Sequence, residues 1–252
     1  NIHDPAPHSG EKRLIGDIIR KLVFRKVSAF CTFSNYSKNQ FEEIYNPKVQ
    51  IKNLRLIPYF SYKLLGSKPI RDIQKLSGGR IILFFGRISE YKGIDELLKA
   101  FSNIRLQSNN LKLVIAGRGS YSYSIPGDLK DSDSLIIINR FIEITEIQSL
   151  FELADILVCP YRDATQSGVL MTARVFKIPV IVSNVGALPE YVQEGENGYV
   201  YDIKDNNGLE NAIYKFLNET KFIDRKGIEI DNQDVTTNSL KLVDIYKQIT
   251  HN

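Results

Sequence analysis

The chain has 252 residues, 43% hydrophobic and 25% charged, with two Cys, one Met and no Trp, enough apolar material for one large core or two smaller ones. No apolar run approaches the roughly 20 residues that span a bilayer, and two cysteines with no CxxC spacing exclude a disulfide scaffold. The net charge of +4 is uneven: residues 1–63 hold 11 Lys/Arg against 5 Asp/Glu, and residues 64–252 hold 22 against 24, so the bulk of the chain is not built as a nucleic-acid binder.

The chain opens on Asn1-Ile2-His3-Asp4-Pro5, with neither a signal peptide nor an initiator Met, the start expected of a piece of a longer protein. Leu14, Ile15, Ile18, Ile19, Leu22 and Val23 recur at i, i+3, i+4 spacing and predict a helix over 11–27, with Lys12, Arg13, Arg20, Lys21 and Arg25 on its other faces. A strand is expected over 29–33, a helix over 38–45 capped by Ser34 or Ser37, and a strand over 54–57 stopped by Pro58. The polar stretch 61–79, with Gly66, Pro69, Gly78 and Gly79, reads as a linker. Residues 1–62 and 63–235 are thus expected as two units, with 236–252 a C-terminal segment carrying a last helix over 239–249.

Beyond the linker, strands and helices alternate. Strands are expected over 80–85, 111–116, 135–138, 156–159 and 180–182, and helices over 92–106, 146–153, 168–176 and 209–217. Continuous apolar strands alternating with amphipathic helices predict an α/β fold, a parallel sheet covered on both faces, whose ligands sit at the carboxyl ends of its strands. Cys31 and Cys159 lie in two of the apolar runs and are expected to be buried free thiols of a reducing cytoplasm.

The loops that follow strands carry the candidate chemistry. Gly86-Arg87 opens the first, and Lys92 closes it at a helix start; two cations beside free helix N–H groups suit a phosphate or diphosphate, although the same residues fit an ordinary solvated loop. Ala164-Thr165-Gln166-Ser167-Gly168-Val169 leads into another helix and offers unpaired backbone donors, or simply an N-cap. Gly117-Arg118-Gly119 resembles the start of a dinucleotide fingerprint but lacks its third Gly, which argues against a nicotinamide enzyme. Gly186 to Tyr199 reads as turns around a short helix. His3 and His8 have no third ligand, so no metal site is expected.

Taken in order, Phe85-Gly86-Arg87 with Lys92-Gly93, Ala116-Gly117-x-Gly119, Ala154-Asp155-x-x-Val158-x-Pro160, Pro179-Val180-Ile181-Val182, Gly186-x-x-Pro189-Glu190-x-Val192 and Gly195-x-Asn197-Gly198 form one string. That string resembles the donor-binding domain of the GT-B retaining glycosyltransferases of family 4, the glycosyl transferases group 1. The resemblance covers roughly residues 55–250. Less specifically, Ile2-His3-Asp4-Pro5 and His8-x-Gly10 are similar to the latter half of that family's acceptor-binding domain.

The resemblance implies a GT-B fold with a complete Rossmann-like C-terminal domain, a partial N-terminal acceptor-binding domain, and a last helix crossing back toward the latter. It implies transfer of a sugar, with retention, from a nucleotide-diphosphate sugar such as a UDP- or GDP-sugar to a saccharide or lipid-linked acceptor of bacterial surface polysaccharide or glycolipid. No essential metal and no further cofactor are implied. Arg87 and Lys92 match the diphosphate cations, Gly86 and the amides of Ser167, Gly168 and Val169 the phosphate loop, and Arg140, Phe141 and Ile142 the stretch whose main chain reads the nucleobase. His3 matches a residue that faces the donor sugar. The family's two motif carboxylates are replaced by Ala164 and Thr172, leaving Gln166 and Thr172 as weaker donors to sugar and ribose. Their loss supports the alternative of a non-catalytic nucleotide-sugar-binding pseudoenzyme or subunit. The basic helix 11–27 fits either a domain helix or a peripheral contact with anionic lipid at the inner face of the membrane, the rest of the chain being expected in the cytoplasm.

Overall fold

The computed structural model describes residues 22–24, 27, 29–45, 51–53, 67–70, 73, 78–108, 110–219, 240, 243, 244, 246 and 247. Near the N-terminus, strand β1 (Phe30–Thr32) pairs in parallel with β2 (Ile51–Asn53), and helix α1 (Asn35–Tyr45) lies between them in sequence. Phe30 and Phe41 are buried with ring centroids 4.7 Å apart, and Phe24 stands edge-on to Phe30 at 5.1 Å, an arrangement that aromatic quadrupoles favour. Helix α1 begins at Asn35, earlier than the expected 38, because Ser34 Oγ accepts the Ser37 amide at 3.0 Å and caps it there. The strand expected over 54–57 lies outside the described residues, and β1 takes Ile51–Asn53 as its partner.

Of the helix expected over 11–27, only Leu22–Phe24 and Val27 are described. Leu22 and Val23, which the periodicity puts on the apolar face, are 58% and 52% exposed; the ring of Phe24 makes the packing contact in their place. His3 and His8 lie outside the described residues, as does most of the last helix, where 240, 243, 244, 246 and 247 are helical and exposed.

The expected linker is partly core. Ile70 and Ile73 are buried in the main hydrophobic cluster, the Lys68 amide donates to the Thr145 carbonyl at 2.8 Å, and Ser149 Oγ donates to the Lys68 carbonyl at 2.8 Å. Two isoleucines in a polar stretch were enough to seat it against the domain that follows.

That domain is a six-stranded parallel sheet. Its elements are β3 (Arg80–Phe85), α2 (Ile94–Arg105), β4 (Leu111–Gly117), β5 (Leu135–Asn139), α3 (Ile144–Leu153), β6 (Ile156–Cys159), α4 (Gly168–Val175), β7 (Val180–Ser183), β8 (Gly198–Tyr201) and α5 (Gly208–Asn218). The strand order is β5-β4-β3-β6-β7-β8. Every residue of β6 and β7 and the interior of β3 is buried, which requires helices over both faces. Helices α2 and α5 pack on each other, while Phe151 of α3 meets Phe85 of β3 edge-on and lies tilted against Phe176 after α4. Both cysteines are free and buried. The architecture is α/β and Rossmann-like.

One strand, β8, falls where the sequence reads as turns. Its four residues sit among Gly, Asn and Glu, and only the burial of Tyr199 and Tyr201 and pairing with β7 make it a strand. The helix expected to begin at 92 starts at Ile94, because residues 90–92 form a 3-10 turn that Gly93 ends in a left-handed conformation (φ 67°).

Candidate functional site

From β3 the sheet grows in one direction through β4 and β5, then in the other through β6, β7 and β8. The loops leaving β3 and β6 therefore stand side by side at the carboxyl edge, at the switch point of the sheet. Gly93 ties the two loops together: a Cβ there would collide with the Pro160 carbonyl oxygen. Beside it, the Arg162 amide donates to the Tyr91 carbonyl at 2.7 Å.

On the β6 side, α4 starts at Gly168 with Ser167 as N-cap, and no side chain caps its first turn. Its first amides thus carry the positive end of the helix with no side-chain acceptor. A Cβ built on Gly86 would lie 3.5 Å from the Val169 side chain, so this helix start faces the Gly86–Arg87 loop.

A cavity of about 900 Å³ extends from Arg87 and Glu90 across Arg118 and Tyr121 to Phe141 and Ile142, over the ends of β3, β4 and β5. Arg87 and Arg118 are both exposed, and Glu90 is the single carboxylate among the lining residues. Asn139 fixes the middle of this floor, accepting the Gly119 amide and donating to its carbonyl, both at 3.0 Å. Asp95 braces the loop above it by accepting from the Tyr121 hydroxyl at 2.6 Å and the Ser124 amide at 3.3 Å.

Lys92 does not line this cavity. Its Nζ lies 3.4 Å from the centre of the buried Tyr161 ring and 5.0 Å from that of Tyr91, a cation–π seat. Burial, opposed by Cys159 and assisted by the Arg87 charge, brings its pKa down to about 8.

The 140–142 stretch is held by an ion pair. Arg140 donates to both oxygens of Glu146 at 2.7 Å and to the Phe141 carbonyl at 3.0 Å; this pairing holds the Glu146 carboxyl below its usual range. The Arg140 guanidinium is therefore engaged in bracing the turn, and it is the Phe141 ring, 69% exposed, that stands in the cavity.

Residues 79–219, more than half of the chain, match the family model described as glycosyl transferases group 1. The chain belongs to that family. It is 33% identical over 155 residues to an uncharacterized glycosyltransferase of Methanocaldococcus jannaschii, covering 60% of this chain and 39% of that protein. It is 24% identical over 169 residues to a capsular polysaccharide biosynthesis glycosyltransferase of Staphylococcus aureus, covering 65% of this chain and 43% of that one. The chain thus spans less than half the length of these relatives. Its fold is shared with the Anabaena protein HepE, solved in complex with UDP and glucose, at a TM-score of 0.66 and 16% identity over 99% of this chain and 70% of that one.

In this group 1 chain, the positions that family resemblance would fill with carboxylates are packed. Ala164 is 3% exposed, and Thr172, 5% exposed, donates its hydroxyl to the Gly168 carbonyl at 3.1 Å. That hydroxyl is spent inside α4 and is not a ready donor to a diol. Gln166 is half-buried in the loop before α4, and His3 lies outside the described residues. Reading the sequence missed Arg118, Tyr121 and Asn139. The glycines around Arg118 were the available signal, but they were weighed only as a failed fingerprint.

Proposed function

We propose that the chain is the donor-binding part of a retaining hexosyltransferase, one that moves sugar from a nucleotide-diphosphate sugar to a saccharide or lipid-linked acceptor in surface-polysaccharide or glycolipid synthesis. One observation carries this reading: at the switch point an exposed arginine sits on a glycine loop that packs against a helix start whose N-cap side chain makes no capping bond. The Staphylococcus relative's name supports the acceptor class, and the UDP-bound neighbour supports the donor.

As the glycosidic bond to the diphosphate breaks, negative charge grows on the departing oxygen, and donors already aimed there lower the barrier. Arg87 and the amides of Ser167, Gly168 and Val169 are the groups for it, with Lys92 reaching forward from its aromatic seat. Arg118 adds a further guanidinium along the cavity. The base would rest against the main chain of residues 140–142 and the Phe141 ring, and the acceptor hydroxyl would attack from the face the diphosphate leaves, with His3 touching the sugar. Because these cations supply the charge, EDTA is expected to leave affinity for UDP or GDP unchanged in calorimetric titration; a large loss would overturn the metal-independent reading.

The Lys92 pKa adds a pH signature. A bound diphosphate favours the ammonium, so its pKa rises on binding and a proton is taken up above pH 8. Affinity should fall as pH rises through about 8. Titrations in buffers of different ionisation enthalpy at pH 8.5 check the uptake, which Lys92→Met should abolish.

The non-catalytic alternative draws on Ala164 and Thr172. Slow release of free sugar from UDP- or GDP-sugar, in a protein that binds the nucleotide, separates a transferase from a binder. No helix among the described residues is long and apolar enough to cross a membrane; the cytoplasmic setting, and a contact of helix 11–27 with the inner membrane face, belong to this same proposal.

A further inference from the structure

Glu190 lies in the turn Leu188–Tyr191 that follows β7. Its carboxylate accepts two backbone amides far away in sequence: Asn35 N–H donates to Oε2 at 2.9 Å, and Tyr36 N–H donates to Oε1 at 2.7 Å. These belong to the first turn of α1, where a helix leaves its amides without internal partners and its dipole favours a carboxylate. One carboxylate thus closes both donors at once.

A second contact holds the same turn from the other side. Ser34 Oγ donates to Ser37 Oγ at 2.8 Å, and Ser37 Oγ donates to the Thr165 carbonyl at 3.5 Å. Ser34, Ser37 and Thr165 are 2%, 1% and 5% exposed. Thr165 stands two residues before Ser167, the N-cap of α4. The two loops that receive α1 are locked to each other, because Gly186 (φ 54°) has no room for a Cβ against the Ala164 carbonyl. Glu190 and the start of α4 therefore meet α1 from two loops that touch each other.

We propose that Glu190 is a positioning residue: its carboxylate docks the β1–α1 segment onto the loops that begin α4 and so fixes where that segment stands relative to the sheet. The inference rests on the proposed function only for what that placement serves; the docking needs no nucleotide.

The test uses the full chain without ligand. Amide hydrogen exchange is followed at Asn35 and Tyr36, and a label-to-label distance is measured by electron spin resonance after Glu43→Cys and Lys130→Cys, both exposed sites. In Glu190→Ala the two amides are expected to exchange roughly tenfold faster, as loss of a charge-assisted bond predicts, and the distance distribution is expected to broaden. Exchange within β3 and β4 should not change. Glu190→Gln, which keeps one acceptor oxygen, should restore part of the protection. Unchanged exchange and distance in Glu190→Ala would overturn the proposal, and so would equal acceleration in β3 and β4, which would make the contact one of general stability. A chain that bound no UDP would still answer this test, so its failure and that of the donor-site reading are separable.

Discussion

Calorimetric titration of the Arg87→Ala chain is expected to give a dissociation constant for UDP or GDP about ten- to a hundredfold above that of the unaltered chain. A hydrogen bond to a charged group is worth about 1.5–3 kcal/mol, and about 1.4 kcal/mol is a factor of ten. Arg87 is exposed on the loop facing the uncapped start of α4, so its removal takes away charge without emptying a core. Arg87→Lys should recover part of the affinity, because it keeps the charge and loses the planar fork. Uridine, with no phosphate, should bind both proteins about equally. An equal loss for uridine and UDP would show that the loop had been deformed, and an unchanged affinity for UDP would remove Arg87 from the site.

A large effect on stability is expected at Gly93→Ala. A non-glycine residue in the left-handed region is strained by about 1–3 kcal/mol. Here the added methyl also meets the Pro160 carbonyl, which is backbone and has little freedom to move aside. A loss of about 2–4 kcal/mol in urea unfolding is expected. Gly127→Ala is the control, since a Cβ there meets nothing within 4 Å, and it should fall within about 0.5 kcal/mol of the unaltered chain. Comparable losses in the two variants would mean that the close contact between the β3 and β6 loops is not what makes Gly93 necessary.

How much of this is legible in the sequence depends on where each signal resides. The strand Ile156–Cys159 could be read to the residue, because a parallel strand buried on both faces is one continuous apolar run. Gly198–Tyr201 could not: two tyrosines in four residues become a strand only once β7 supplies a partner. Ile70 and Ile73 were lost in a polar stretch for the same reason, their burial being decided by α3. In the site, Gly86, Arg87 and the start of α4 were readable as a glycine loop and a helix N-terminus following strands. The seat of Lys92 over Tyr161 was not, since it depends on β3 lying next to β6. Arg118 was hidden likewise: only the strand order puts β4 between β3 and β5, and so puts Arg118 between the arginine loop and Phe141.

That strand order also bears on how the protein is made. β3, β4 and β5 are consecutive in sequence, as are β6, β7 and β8, so each half of the sheet forms between near neighbours; only the β3–β6 seam joins residues such as Ile82 and Ile156 that are far apart in the chain. Such a pairing carries the greatest loop-closure entropy and comes late in folding. Until it closes, the halves expose apolar parallel edges of the kind that aggregate. The approach of the Gly86–Arg87 loop to Val169 at the start of α4 crosses this seam, so that pairing of loop and helix start does not exist in either half alone. An anion held between the two, as proposed, would draw the slowest pairing in the molecule toward completion by mass action, so that it would assist folding as well as binding.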